Sequence, residues 1–266
     1  MKITVFTSNQ PRHVALINRL ANAAEAIYAV QEVSTVHPGT VSDFYGNSET
    51  MHRYLSNVRS AEDLFFPNQR FTSNKVKTFA CKSGDLNRLS KSDLEDALDS
   101  DLYVVFGSSF IKGWLCDFLV RKSAINLHMG LSPYFRGAAC NFWAMYDQLP
   151  NYVGATWHYL SSGLDSGPML FHSIPKFEDE DAFGFTMKAV LAAQEDLISN
   201  LEEISRGAFP GIPQEKNLQI RYSRYTDFND DVAKEFLQRD NSHPVLGDML
   251  RGSAKPNLLR GNSSNQ

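Results

Sequence analysis

The chain has little of what marks several protein classes. Its three cysteines, Cys81, Cys116 and Cys140, are odd in number and widely spaced, with no CxxC pair. That excludes a disulfide framework and a structural zinc site, and a reducing cytoplasm fits best. No apolar run approaches the ~20 residues of a membrane span, and Met-Lys-Ile-Thr-Val-Phe is too short for a signal peptide. The 26 basic and 30 acidic residues are interspersed, for a formal charge of −4. No basic stripe of the kind that binds nucleic acid is present. No internal repeat is found.

What is present is an ordinary globular composition, 42% hydrophobic over 266 residues, enough for one large domain or a domain with an appendage. Hydrophobic periodicity predicts a strand over Lys2–Ser8, a helix over Arg12–Glu25 and a strand over Ile27–Val33. Helices are expected over Glu49–Phe65 and Leu89–Leu98, then a buried strand at Asp101–Phe106, a loop at Gly107–Ile111 and a helix at Lys112–Arg121. Such alternation implies parallel strands joined by right-handed crossovers. A helix at Ala138–Gln148, strands at Tyr152–Leu160 and Met169–Phe177, a long helix at Asp181–Arg206 and a short one from Thr226 to Leu237 complete the reading. The expected division is a catalytic unit at 1–180, a helical extension at 181–250 and a disordered tail at 251–266.

One segment carries chemistry. In Ala124-Ile-Asn-Leu-His-Met-Gly-Leu-Ser-Pro-Tyr-Phe-Arg-Gly137, Ile125 and Leu127 point one way along a strand, and Asn126 and His128 point the other. Pro133 and Gly137 stop the strand, so the polar pair lies where strand becomes loop, the usual place for ligands in an open α/β sheet. Downstream, Gly163-Leu-Asp165-Ser-Gly-Pro168 forms a turn whose glycines permit unusual backbone geometry and close approach. Asn126, His128 and Asp165 are the candidates for a reacting centre.

These motifs, Asn126-Leu-His128, Leu131-Ser-Pro133, Arg136-Gly137 and Gly163-Leu-Asp165-Ser-Gly-Pro168, closely resemble the folate-dependent formyltransferases. The likeness runs from the first strand to about Phe177, with the Asp101–Ile111 strand and loop matching in position. The resemblance implies a Rossmann-like, mostly parallel α/β sheet flanked by helices, with a small C-terminal extension. It also implies N10-formyltetrahydrofolate as co-substrate, no metal, and formyl transfer to a primary amine. Asn126, His128 and Asp165 become the catalytic trio. Gly107, Ser109, Phe110 and Ile111, with Ser162, Gly163 and Leu164, become walls of the folate pocket.

Those side chains suit such chemistry. Fixed donors, Asn126 and His128, can stabilise the tetrahedral oxyanion, and an imidazole of ordinary pKa near ~6.5 can act as general base at neutral pH. Asp165 would orient the ring, stabilise its charged form or hold a relay water.

Departures narrow the acceptor. Gly130 stands where the family has serine, and Leu131-Ser132 replaces paired leucines. Thr7-Ser-Asn-Gln-Pro-Arg-His13 lacks the Gly-rich phosphate cradle of the purine enzyme, and Pro11 removes a backbone donor. Residues 207–266 lack the pattern of the C-terminal barrel of methionyl-tRNA enzymes. The resemblance therefore points to a nucleotide-linked amino-deoxysugar, with O-antigen or lipopolysaccharide biosynthesis as the setting and a homodimer as the assembly. A formyltetrahydrofolate hydrolase, a methionyl-tRNA-type enzyme and a non-catalytic folate or nucleotide module are the alternatives. Arg12 and His13 at the first helix are either phosphate holders or solvated helix-start residues, and Arg136 is a further substrate candidate. His158 and His172 alternate with apolar neighbours and are expected to face solvent or an interface, with no cluster for a metal. Phe142, Trp143, Tyr146, Trp157 and Tyr159 read mainly as core.

Overall fold

A computed structural model describes residues 1–261. In chain order the regular elements are β1 (Lys2–Ser8), α1 (Pro11–Ala23), β2 (Ala26–Val33), α2 (Glu49–Phe65), β3 (Val76–Lys82), β4 (Leu102–Phe106), α3 (Gly113–Arg121) and β5 (Ile125–His128). They continue with β6 (Phe135–Gly137), α4 (Cys140–Tyr146), β7 (Ala155–Tyr159), β8 (Met169–Ser173), α5 (Ala182–Ser199), α6 (Leu201–Ser205), β9 (Arg221–Ser223), α7 (Asp230–Gln238) and α8 (His243–Gly252).

The main sheet has the order β3-β2-β1-β4-β5-β7-β8. The first five of these run parallel, and β7 and β8 pair antiparallel at one edge. Strand alternation feeds two packed faces. Ile3, Val5, Val104, Phe106, Ile125 and Leu127 enter the large cluster, while Phe6, Tyr103 and Val105 enter the smaller one with Leu115 and Leu119 of α3. Both faces of the central strands are thus dry, as parallel strands require.

Two expectations change, and one strand is added. The 89–98 helix is replaced by short 3₁₀ turns at Leu86–Arg88 and Glu95–Leu98. β3 had no clear signal, because an edge strand with four consecutive exposed residues lacks an apolar pattern. Nor does α5 belong to an extension beyond residue 180. Val190, Ala193 and Leu197 lie in the same core as β1 and α1, and Ala193 O accepts from the Trp157 indole at 3.0 Å.

The C-terminal segment is also fastened. β9 pairs parallel with β6, where a Cβ on Gly137 (φ +92°) would stand 2.0 Å from Ser223 O. Farther on, His172 N–H donates to Leu259 O at 2.8 Å and Leu259 N–H donates to His172 Nδ1 at 3.0 Å. Residues 251–261, expected as tail, therefore run against the domain; the remainder of that expectation, 262–266, lies outside the described residues. No helix among the described residues is long and apolar enough to cross a membrane.

Candidate active site

β5 is short because Asn126 and His128 reach the carboxyl edge of the sheet, where Asn126 pairs in register with Val105 near the end of β4. His158 of β7 stands directly opposite Asn126, and Thr156 opposite His128. Opposed residues on antiparallel strands share a face, so four polar side chains converge there. The Asp165 turn between β7 and β8 closes over them.

His128 Nδ1 lies 3.3 Å from Asp165 Oδ2, and its Nε2 faces Phe135 O at 3.2 Å. Both partners are acceptors, so a ring that satisfies both carries two protons. Burial opposes the charged ring, yet the Asp165 carboxylate and the neighbouring Cys140 hold His128 well above its ordinary 6.5. Burial would likewise raise Asp165, but the His128 ring holds its carboxyl far below the usual range. This differs from the neutral base expected from sequence. The ring is positioned as an imidazolium, because its surroundings on both sides attract a proton.

The Asn126 amide donates to Asp165 Oδ1 at 3.2 Å and meets His158 Nε2 at 3.0 Å. His158 is 1% exposed, and its Nδ1 faces Tyr159 O at 2.8 Å. That contact places a proton on Nδ1 and leaves Nε2 to accept from Asn126. His158 thus belongs to the polar cluster rather than to a solvent face, as does Thr156. The Thr156 hydroxyl donates to Gly130 O at 2.7 Å and accepts from Ser132 N–H at 2.8 Å, fixing the loop after His128. His172 is also buried, its Nε2 donating to Ser132 O at 2.8 Å, and burial depresses its pKa. Strand pairing was the signal that could have placed these residues: β7 read as alternating, but which face it shared depended on its partner.

The Asp165 turn differs in detail from expectation. Asp165 itself takes the left-handed conformation, φ +46°, which aspartate tolerates better than most residues. Gly167 serves close approach: a Cβ there would lie 1.7 Å from Tyr159 O. Gln214, from the segment after α6, donates to Asp165 O at 2.8 Å and Gly167 O at 2.9 Å. No sequence pattern marks Gln214. Gln214→Ala is expected to reduce stability by about 1 kcal/mol and to lower turnover, as checked by urea denaturation and steady-state kinetics.

The departure at Gly130 also acquires a reason. A Cβ there would stand 2.5 Å from Cys140 Cβ and 2.7 Å from His128 Nε2. Cys140, whose thiol donates to Gly137 O at 3.4 Å, fills the room a residue-130 side chain would use.

These groups open into a cavity of about 960 Å³. Gly107, Ser109, Phe110, Ile111, Gly163, Leu164 and Arg12 line it together with the trio. Ser162 is exposed and lies outside that lining, as do His13 and Arg136. Arg136 donates instead to Gln219 Oε1 at 3.4 Å. His13 is 3% exposed beneath the 107–111 loop, bonded to Thr7 Oγ1 at 2.8 Å and packed on Phe106. Burial and Arg12 push its pKa well down. Glu32, at the end of β2, accepts from Ser109 N–H at 2.5 Å and Gly84 N–H at 2.7 Å, so a buried carboxylate anchors the loop. Asn87 holds its far end by donating to Phe110 O at 2.9 Å. Gly107→Ala would impose φ +68° on alanine and set Cβ 2.3 Å from the His13 ring. Urea denaturation should show a loss of about 1–3 kcal/mol.

The formyl transferase family model matches residues 67–200, just over half of the chain. The chain belongs to the formyl transferase family. A methionyl-tRNA formyltransferase of Thermodesulfovibrio yellowstonii is 32% identical over 160 residues, covering 52% of each chain. This formyl transferase spans about half, or less, of the length of the curated relatives it matches. Among solved structures, the formyltransferase PseJ from Anoxybacillus kamchatkensis, in complex with UDP-4,6-dideoxy-4-formamido-L-AltNAc and tetrahydrofolate, superposes with a TM-score of 0.51. That match is 17% identical and covers 92% of this chain and 97% of that one. An N-formyltransferase from Helicobacter canadensis, in complex with folinic acid and dTDP-3-aminofucose, gives a TM-score of 0.53 at 14% identity, covering 86% and 73%. These likenesses establish the fold. Among the described residues, no group of three or more His, Cys, Asp or Glu is arranged to hold a metal ion.

Proposed function

We propose that this formyl transferase moves the formyl group of N10-formyltetrahydrofolate to a primary amine, that of a nucleotide-linked amino sugar. The observation that carries the reading is the His128–Asp165 pair, 3.3 Å apart, with Asn126 beside it on the cavity wall. The solved relatives crystallised with folates and nucleotide sugars support the choice of donor and acceptor. The walls formed by the Gly107–Ile111 loop and by Gly163 and Leu164 would receive the folate.

The chemistry follows from the charges. The amine lone pair attacks the formyl carbon, forming a C–N bond and moving the carbonyl π pair onto oxygen. Asn126 and the His128 imidazolium donate to that oxygen, exchanging an internal hydrogen bond for one to the developing charge. On collapse the bond to the folate nitrogen breaks, and His128 passes its proton to that nitrogen. The neutral ring then takes the ammonium proton, restoring the imidazolium that Asp165 stabilises. A formamide and tetrahydrofolate result.

The test incubates the protein with formyl donor and a panel of dTDP- and UDP-linked amino sugars, and reads the one-formyl mass gain. Asn126→Ala is expected to lower kcat about 10²- to 10³-fold with donor affinity little changed. Formate release at equal rate without any amine would replace transfer by hydrolysis.

A further inference from the structure

Two features stand out along the cavity wall, one at Arg12 and one at Phe44 and Tyr225. The first is a plug. Glu62 of α2 is 5% exposed, and one oxygen, Oε1, accepts from Arg12 N–H at 3.1 Å and Arg12 Nη1 at 2.7 Å. The amino end of a helix ordinarily attracts an anion through its free N–H groups and dipole. At α1 the protein's own carboxylate is already bound to the first turn, and it neutralises Arg12. Arg12 is the one lysine or arginine lining the cavity among the described residues. A phosphate entering beside Arg12 would find both its backbone N–H and its guanidinium already engaged by Glu62.

The second is a pair of rings. Phe44, from the loop after β2, and Tyr225, just after β9, both line the cavity while 64% and 65% exposed. Their centroids are 5.4 Å apart at an interplanar angle of 74°. Both are held from behind. Asp43 accepts from Tyr45 N–H at 2.8 Å and from Gly39 N–H at 3.0 Å, and Ser48 bridges to Asp230 at 2.8 Å. The Tyr225 turn is tied by Arg224 N–H donating to Asp227 at 2.7 Å. Two well-anchored rings exposed at a cavity mouth offer one open face and one edge to a flat ligand.

We propose that the stretch of cavity wall at Phe44 and Tyr225 is a subsite for an uncharged planar heteroaromatic ring, a nucleobase, packed on those two rings, with the α1 end closed to phosphate by Glu62. The proposal rests on the nucleotide-linked acceptor reading and adds how that acceptor is gripped: by its base, with its phosphates directed away from α1. Glu62 is then a specificity-determining residue, and phosphorylated amines that need an anion site at α1 are excluded.

The experiment titrates the whole protein with thymidine, uridine, dTDP, UDP and inorganic phosphate, each by calorimetry, with 5-formyltetrahydrofolate as a control for an intact donor site. At least one nucleoside should bind within about threefold of its diphosphate, and inorganic phosphate should not bind. Phe44→Ala and Tyr225→Ala should each weaken nucleoside binding at least about fivefold while folate affinity holds. Glu62→Gln should confer phosphate binding. Nucleosides that fail to bind, or that bind equally to the Phe44 and Tyr225 variants, would overturn the ring subsite. Phosphate binding to the unaltered protein would overturn the plug. Failure of the transfer reading is seen separately, as folate and nucleoside binding without formyl gain on any nucleotide-linked amine.

Discussion

Asp165→Asn should lower kcat by about 10²- to 10⁴-fold and move the alkaline limb of the pH–rate profile toward acid. In the unaltered protein, Asp165 and Cys140 outweigh burial and hold His128 well above its ordinary 6.5. Activity that needs the imidazolium is therefore retained below its raised pKa and falls only as pH climbs past it. Asparagine keeps the shape and the Asn126 contact but removes the charge, so burial then drives the ring toward neutrality. Stability should follow with a defined sign. A raised histidine pKa contributes stability fully present below about 6.5 and lost as pH rises through the folded value. The depressed Asp165 contributes stability above its ordinary 3.8 that is lost as pH falls. The variant should flatten both slopes in urea midpoints measured across pH. Wild-type kcat with an unmoved alkaline limb in Asp165→Asn would remove the ion pair from the mechanism.

Gly167→Ala should be strongly damaging for a single methyl. The added carbon would sit 1.7 Å from Tyr159 O, itself the acceptor for His158 Nδ1. Backbone cannot yield as a flexible side-chain tip can, so β7 and the Asp165 turn must separate. The loss is expected at about 3 kcal/mol, with His158, Asp165 and Gln214 all displaced from their partners. Equilibrium unfolding and activity, measured together, check this. By contrast, Gly163→Ala should be mild, since its Cβ would press on the Ser166 hydroxyl, the end of a short movable side chain.

Much of the architecture was legible because parallel, doubly buried strands write themselves as apolar runs. Lys2–Ser8 was read to the residue, and the ends of 27–33 and 101–106 within one. β3 and α8 were not legible, since an exposed edge strand and a helix with only two buried residues bury too little to pattern the sequence. At the site, motif spacing singled out Asn126, His128 and Asp165, and the structure brings their side chains together. Glu32, Gln214 and Thr156 left no trace, because each acts through one or two hydrogen bonds to backbone far away in sequence. The charge state of His128 was hidden for the same reason. It depends on Phe135 O and Cys140, whose approach is a matter of loop closure rather than residue type.

The fastening of residues 212–261 over the sheet bears on the order in which the molecule comes together. Gln214 ties the Asp165 turn, Tyr225 completes the cavity mouth, and Leu259 clasps His172, which in turn holds Ser132 in the loop after His128. A nascent chain could pair β1, β2 and β4 long before these segments leave the ribosome. Contacts of such sequence separation form late, after loop closure has been overcome. The sheet is thus early and generic, whereas the Asp165 turn and the loop after His128 gain these ties only once residues 212–261 have folded back. A chain paired only through its sheet would have the shape of the domain without yet holding its polar cluster in place.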